Sequence, residues 1–207
     1  MELAHLFSII GPTGCILAIL FFICLYLALR TVIYLYLVGR DFSNYFMSLE
    51  SDPTCATYCK ADARNPLIAI VQDILSIYAQ HSSIDLRAEI KYYFARNFEQ
   101  TIGKLSYIRF ISVVSPLLGL LGTMLGMVKV FQTIATEASP DSALLASGIW
   151  EALITTILGL CVAIPALAFY YHIRLKLRGL LVRSIEHALR AIELCKKNNC
   201  LNKNIIE

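Results

Sequence analysis

The sequence predicts an all-α membrane protein with three transmembrane helices, two of them carrying long cytoplasmic helical extensions. Three observations predict it. Three windows are free of Asp, Glu, Lys and Arg over a length that can cross a bilayer. The basic residues fall unevenly around those windows. Helical periodicity continues outside the second and third windows.

The uncharged windows run over 24 residues from Leu6 to Leu29, 19 from Phe110 to Val128 and 20 from Ala152 to Tyr171. A span needs about 20 mostly apolar residues, because a helix rises about 1.5 Å per residue across about 30 Å of hydrocarbon. The alternative is a buried core helix. With 57% hydrophobic and 16% charged residues, the remaining chain has too little amphipathic material to cover three of them. The first window reads as a retained span, since no Lys or Arg precedes it and its apolar run is too long for a secretion signal.

Of the 18 Lys and Arg residues, none occurs before Arg30, eight lie from Arg30 to Lys104 and eight from Arg174 to Lys203. Basic residues collect on the cytoplasmic side. The N-terminus and the loop near residues 135–142 are therefore expected outside, and the middle segment and tail inside. The net charge of +3 is spread among acids such as Glu50, Asp52 and Asp62, so no basic stripe for nucleic acid is present. Cys55, Cys59, Cys195 and Cys200 read as free cytoplasmic thiols, because their spacing departs from a Cys-x-x-Cys zinc knuckle.

The expected organisation is 1–39 for the N-terminus and first span and 40–105 for a cytoplasmic helical segment. Residues 106–134 form the second span, 135–142 an outside loop, 143–172 the third span and 173–207 a cytoplasmic helix and tail. The first helix is expected to break by Asp52-Pro53. Asn65-Pro66 reads as an N-cap with proline at the first helical position, ahead of Leu67, Ile70, Ile74 and Ile77. One continuous helix is expected from about Asp85 to Ile134, for want of Gly–Pro punctuation, with Pro116 as a kink. Beyond the third span, Ile173, Leu177, Leu180, Ser184, Ala188 and Ile192 form an amphipathic stripe.

The second span carries small or polar residues at alternating steps of three and four: Ser112, Ser115, Gly119, Gly122, Gly126, Lys129 and Thr133, with Thr123 beside them. Small residues let membrane helices approach closely, so one reading of such a stripe is a packing seam and nothing else. In the third span Glu151 stands among Gly148, Ala152, Thr155, Thr156 and Gly159. An ionisable group in a span is costly unless it faces a partner, water or the bundle interior, and a carboxyl so placed is a candidate for proton exchange. The competing reading is a glutamate near the outer interface that caps or pairs. Lys129 either snorkels outward or pairs with Glu151. Pro165 reads as a kink.

Enzyme signatures are missing. There is no phosphate loop, no His-x-x-x-His pair and no nucleophile elbow. A membrane enzyme using Glu151 and His172 would have to join groups 21 positions apart, about 30 Å along a helix. No cofactor is called for.

Two ordered motifs carry a resemblance. The first runs Ser115-Pro116-Leu117-Leu118-Gly119-Leu120-Leu121-Gly122-Thr123-Met124-Leu125-Gly126-Met127. The second runs Gly148-Ile149-Trp150-Glu151-Ala152-Leu153-Ile154-Thr155-Thr156 and continues at Gly159-Leu160-Cys161-Val162-Ala163-Ile164-Pro165-Ala166. Over about a quarter of the chain this resembles the MotA/TolQ/ExbB proton-channel family, with Glu151 similar to the ExbB/TolQ branch. The resemblance implies a proton-motive-force-driven motor subunit of the bacterial inner membrane, with protons as the coupling ion. It implies a homo-oligomeric ring of five copies around a dimer of a single-span ExbD- or TolR-like partner. That assembly would energise a TonB- or TolA-like transducer. It implies Thr123 and Thr156 along the pore and Glu151 as the family glutamate; with Thr155, one helical turn after Glu151, these are the candidate proton-pathway residues. Two departures stand out: Lys129 replaces a neutral or His side chain, and Tyr171 replaces the Asn that commonly follows the tyrosine matched by Tyr170. A TolQ-like role in envelope integrity and a non-conducting membrane scaffold are the alternatives.

Overall fold

The computed structural model describes residues 2–51, 65–80, 85–136 and 142–197, with side chains for 13–43, 65–78, 85–136, 143, 146–150 and 152–193. These residues form five helices: α1 (Glu2–Ser51), α2 (Pro66–Gln80), α3 (Leu86–Asn97), α4 (Glu99–Thr136) and α5 (Ser142–Lys197). Among the described residues there is no strand. Thr13–Ser43, Glu99–Thr136 and Ala146–Glu193 are long and apolar enough to cross a membrane. Asp52-Pro53, Ser82-Ser83, the loop residues 137–141 and Cys55, Cys59 and Cys200 lie outside the described residues, as does the side chain of Cys195.

The chain divides into two compact units. One comprises Met1–Arg30 and Lys104–His172, the other Thr31–Gly103 and Ile173–Glu207. In the first, α1 buries Leu17, Cys24 and Ala28 on one stripe and leaves Ile16, Ile19, Phe22, Ile23 and Tyr26 exposed. An apolar face turned outward suits a helix whose solvent is lipid. In α4 and α5, small residues are buried while Leu117, Leu120, Leu121, Leu153, Ile157 and Leu160 face out. That inside-out distribution is expected where burial of apolar surface supplies no drive for helix association.

The second unit buries one apolar stripe on each of its helices. The stripe Ile173, Leu177, Leu180, Ser184, Ala188 and Ile192 is buried along α5, and Leu35, Val38 and Phe42 are buried on α1. On α2, Leu67, Ile70 and Ile74 are buried as their spacing predicts, and Ile77 is half-buried. Phe42 meets His187 edge-on at 5.2 Å between ring centroids. Asn65 Oδ1 accepts from the Leu67 N–H at 3.0 Å, capping α2, while its Nδ2 donates to the Val38 carbonyl at 3.0 Å. One buried side chain thus starts a helix and ties it to α1. Asn65→Ala should lower stability by about 1–2 kcal/mol. Asn65→Ser, which keeps an acceptor but loses the Val38 bond, should fall between, as read by thermal unfolding of the chain in nanodiscs.

The helix expected to run unbroken from Asp85 to Ile134 is two helices. Asp85 accepts from the Arg87 N–H at 3.2 Å and starts α3, but α3 ends at Phe98, with φ −103° and ψ 12°. Phe98 is fully buried and stacks on Phe94 at 4.5 Å. Its N–H still bonds the Phe94 carbonyl at 3.0 Å, so the break is confined to the dihedral angles of one residue. Neither Gly nor Pro marks it.

Candidate functional site

The small-residue stripe of α4 meets a small-residue stripe of α5 within one chain. A β-carbon built on Gly159 would lie 2.7 Å from the Ser115 carbonyl oxygen and 3.0 Å from the Gly119 Cα. One on Gly119 would lie 3.0 Å from the Thr155 carbonyl oxygen and 3.1 Å from the Thr156 Cα. One on Gly126 would lie 2.9 Å from the Ala152 Cβ, and one on Gly148 would collide with the Val130 side chain. Positions rise along α4 as they fall along α5, so the pair is antiparallel. The two helices pack closely for about four turns, backbone against backbone at Ser115, Gly119 and Gly159, an approach that small residues permit.

Hydroxyls accompany the glycines. Thr155 is 3% exposed, and its Oγ1 donates to the Ala152 carbonyl at 2.7 Å and lies 3.4 Å from the Gly119 carbonyl. Thr156 Oγ1 donates to the same Gly119 carbonyl at 3.3 Å and is only half-buried. Gly119 therefore offers its α4 carbonyl to two threonines of α5, an interhelical polar node in the middle of both spans. Ser112 and Ser115 donate to the Arg109 and Ile111 carbonyls of their own helix at 2.7 Å each. Thr123, half-buried, donates to the Leu120 carbonyl at 2.7 Å and does not join the node.

The structure thus brings together Ser115, Gly119, Gly122, Gly126, Gly148, Thr155, Thr156 and Gly159. Lys129 is exposed, and its neighbour Val130 is the buried residue that faces Gly148. Apolar Val takes the seam position while the charge stays off it. Pro165 lies half-buried inside α5, which runs through it. Glu151 belongs to the α5 backbone, four residues before Thr155, and its side chain lies outside the described residues. His172 is exposed. Arg109 lies over the ring of buried Tyr170 at 5.8 Å, a cation–π contact between the two helices at the Arg109 end of α4's span.

Thr13 is a participant that sequence reasoning missed. Its Oγ1 would be 3.1 Å from a β-carbon on Gly122, next to the Thr155 Oγ1 at 2.6 Å. The α1 helix therefore reaches the node as well. The Gly11-Pro12-Thr13-Gly14 quartet in the first uncharged window was the available signal.

These features define a polytopic helical membrane protein built on a glycine-rich antiparallel hairpin with hydroxyls at its crossing. The model for the MotA/TolQ/ExbB proton channel family matches residues 62–185, and the chain belongs to that family. It is 36% identical over 135 residues to an ExbB homolog of Methanothermobacter thermautotrophicus, covering 65% of this chain and 44% of the relative. It is 46% identical over 65 residues to the biopolymer transport protein exbB1 of Vibrio cholerae, covering 31% of this chain and 28% of the relative. It is 32% identical over 85 residues to the Tol-Pal system protein TolQ of Haemophilus influenzae, covering 41% of this chain and 37% of the relative. The chain thus spans less than half the length of the curated relatives it matches.

Proposed function

We propose that the chain is the ring-forming subunit of a proton-driven motor in the inner membrane, ExbB-like, with protons as the coupling ion. Several copies, five on the family pattern, surround a dimer of a single-span ExbD-like partner and energise a TonB-like transducer for outer-membrane transport. The N-terminus is periplasmic and the C-terminus cytoplasmic. The observation that carries this reading is the hydroxyl node at Gly119, Thr155 and Thr156, on the two spans of the family match and one helical turn from Glu151. The exposed apolar faces of α4 and α5 leave surface for further copies and for lipid. On this reading Glu151 and Thr156 handle protons, Thr123 and Thr155 line or brace their route, and the glycines hold the hairpin closed.

Relatives carrying the TolQ name support a second assignment, to a Tol-Pal-type system. Both assignments demand a partner with one span and an acidic residue in it. Co-expression with the neighbouring genes and affinity purification of this chain should recover such a protein. Recovery of the chain alone, from every membrane extract tested, would sink the motor reading and leave a non-conducting scaffold.

A further inference from the structure

The unit formed by Thr31–Gly103 and Ile173–Glu207 contains a cavity of about 420 Å³ between the Tyr36–Ser43 stretch of α1 and the Lys176–Arg183 stretch of α5. Its polar lining is Tyr36, Arg40, Ser43, Lys176 and Arg183, with no carboxylate among the described lining residues. We propose that this cavity binds a phosphate-bearing anion, and that the headgroup of an anionic phospholipid is the source its position favours. The inference does not rest on the proton-driven reading.

Three lines carry it. The first is convergence. Cations that merely snorkel point away from one another, whereas Arg40 from one helix and Lys176 and Arg183 from another face one cavity. Guanidinium groups bind phosphate through paired N–H donors, and Ser43 and Tyr36 add hydroxyl donors. Lys176 Nζ sits over the Tyr36 ring at 5.4 Å, which holds the ammonium at the rim. The second is room. Small-molecule sites are typically about 300–1,000 Å³, and a β-carbon on Gly179 would meet nothing within 4 Å, so α5 leaves that wall open. The third is depth. Arg40 is the first charge after the uncharged run from Thr31 to Gly39, and Arg174 and Lys176 are the first basic residues after the window ending at Tyr171. Arg40 follows an apolar run that resumes after Arg30, and Lys176 follows the third window by five residues, so both helices bring cations to the cavity beyond their apolar stretches, where basic pockets between helices suit anionic lipids.

The test uses the full chain in neutral detergent, with phosphatidylglycerol, phosphatidylcholine and inorganic phosphate as separate probes, read by native mass spectrometry and titration. Phosphatidylglycerol should bind at least tenfold more tightly than phosphatidylcholine. Arg183→Gln and Lys176→Gln should each weaken it about fivefold, the worth of one cation near a lipid surface. Arg178→Gln makes the same charge change on the same helix outside the cavity lining, and should leave binding unchanged. These lining cations are exposed, so the variants should keep wild-type helicity. Inorganic phosphate binding as tightly as the lipid, with the same dependence on the two variants, would keep the site and move its source to a soluble phosphate. Equal loss in Arg178→Gln, or no loss in Arg183→Gln and Lys176→Gln, would overturn the proposal.

Discussion

Gly159→Ala is expected to force α4 and α5 apart. The added methyl would lie 2.7 Å from the Ser115 carbonyl oxygen and 3.0 Å from the Gly119 Cα. Both are backbone atoms, so no rotamer change can make room, and a whole helix must move. Overpacking a well-packed site costs about 1–3 kcal/mol, and this site belongs at the upper end. Displacing α5 also breaks the Thr155 and Thr156 contacts to the Gly119 carbonyl. Gly122→Ala should also be costly: the Thr155 Oγ1 at 2.6 Å can rotate away, but the Thr155 Cβ at 2.8 Å moves only with the α5 backbone. Gly103→Ala lies in α4 with nothing within 4 Å of the new methyl, so it should stabilise the helix by up to about 1 kcal/mol. Thermal melting in nanodiscs, followed by the fluorescence of Trp150, should place Gly159→Ala and Gly122→Ala both well below Gly103→Ala. A wild-type melt for Gly159→Ala would mean that the hairpin is not packed as described.

The spans and the seam were legible because each rests on local chemistry. An uncharged window of 20 residues has few soluble alternatives, and glycines three and four apart share one helix face whatever lies opposite. The amphipathic stripe of α5 was legible for the same reason, since its period alone decides which side is buried. The features that escaped depend on a second element. α3 ends at Phe98, a buried residue stacked on Phe94, and nothing in its neighbours along the chain marks it. Thr13 matters only once α1 is set beside Gly122. Lys129 shares the stripe's spacing, yet Val130 faces Gly148, a choice between adjacent positions that the partner helix makes. The Asn65 amide bond to Val38 crosses 27 positions, whereas the cap made by its carbonyl could be read from Asn65-Pro66 alone.

Glu151→Ala and Thr156→Ala should each abolish energised transport while the complex still assembles. The argument turns on separating chemistry from packing. The Thr156 hydroxyl contributes one 3.3 Å bond to the Gly119 carbonyl and is half-buried. A side-chain bond between membrane helices is worth about 0.6 kcal/mol on average, too little for its loss to dismantle a hairpin held along four turns. If Thr156→Ala stops proton flux with the melt nearly unmoved, the hydroxyl acts on protons. Glu151→Gln sharpens the test, because it keeps the side-chain shape and removes only the titration. It should be as inactive as Glu151→Ala at every pH, while Glu151→Asp should retain part of the flux. Thr155→Val completes the set. It preserves branching and nearly preserves volume, and it deletes a hydroxyl whose bonds run to the Ala152 and Gly119 carbonyls inside the seam. Loss of flux with a melt lowered by no more than about 1 kcal/mol would put Thr155 on the proton route. A lowered melt with full flux would make it a brace. Proton flux into liposomes carrying this chain with its single-span partner, read by a pH-sensitive dye, measures all five variants alike. Full flux in Glu151→Gln and Thr156→Ala together would remove the proton path from this hairpin and leave its glycines and hydroxyls as packing.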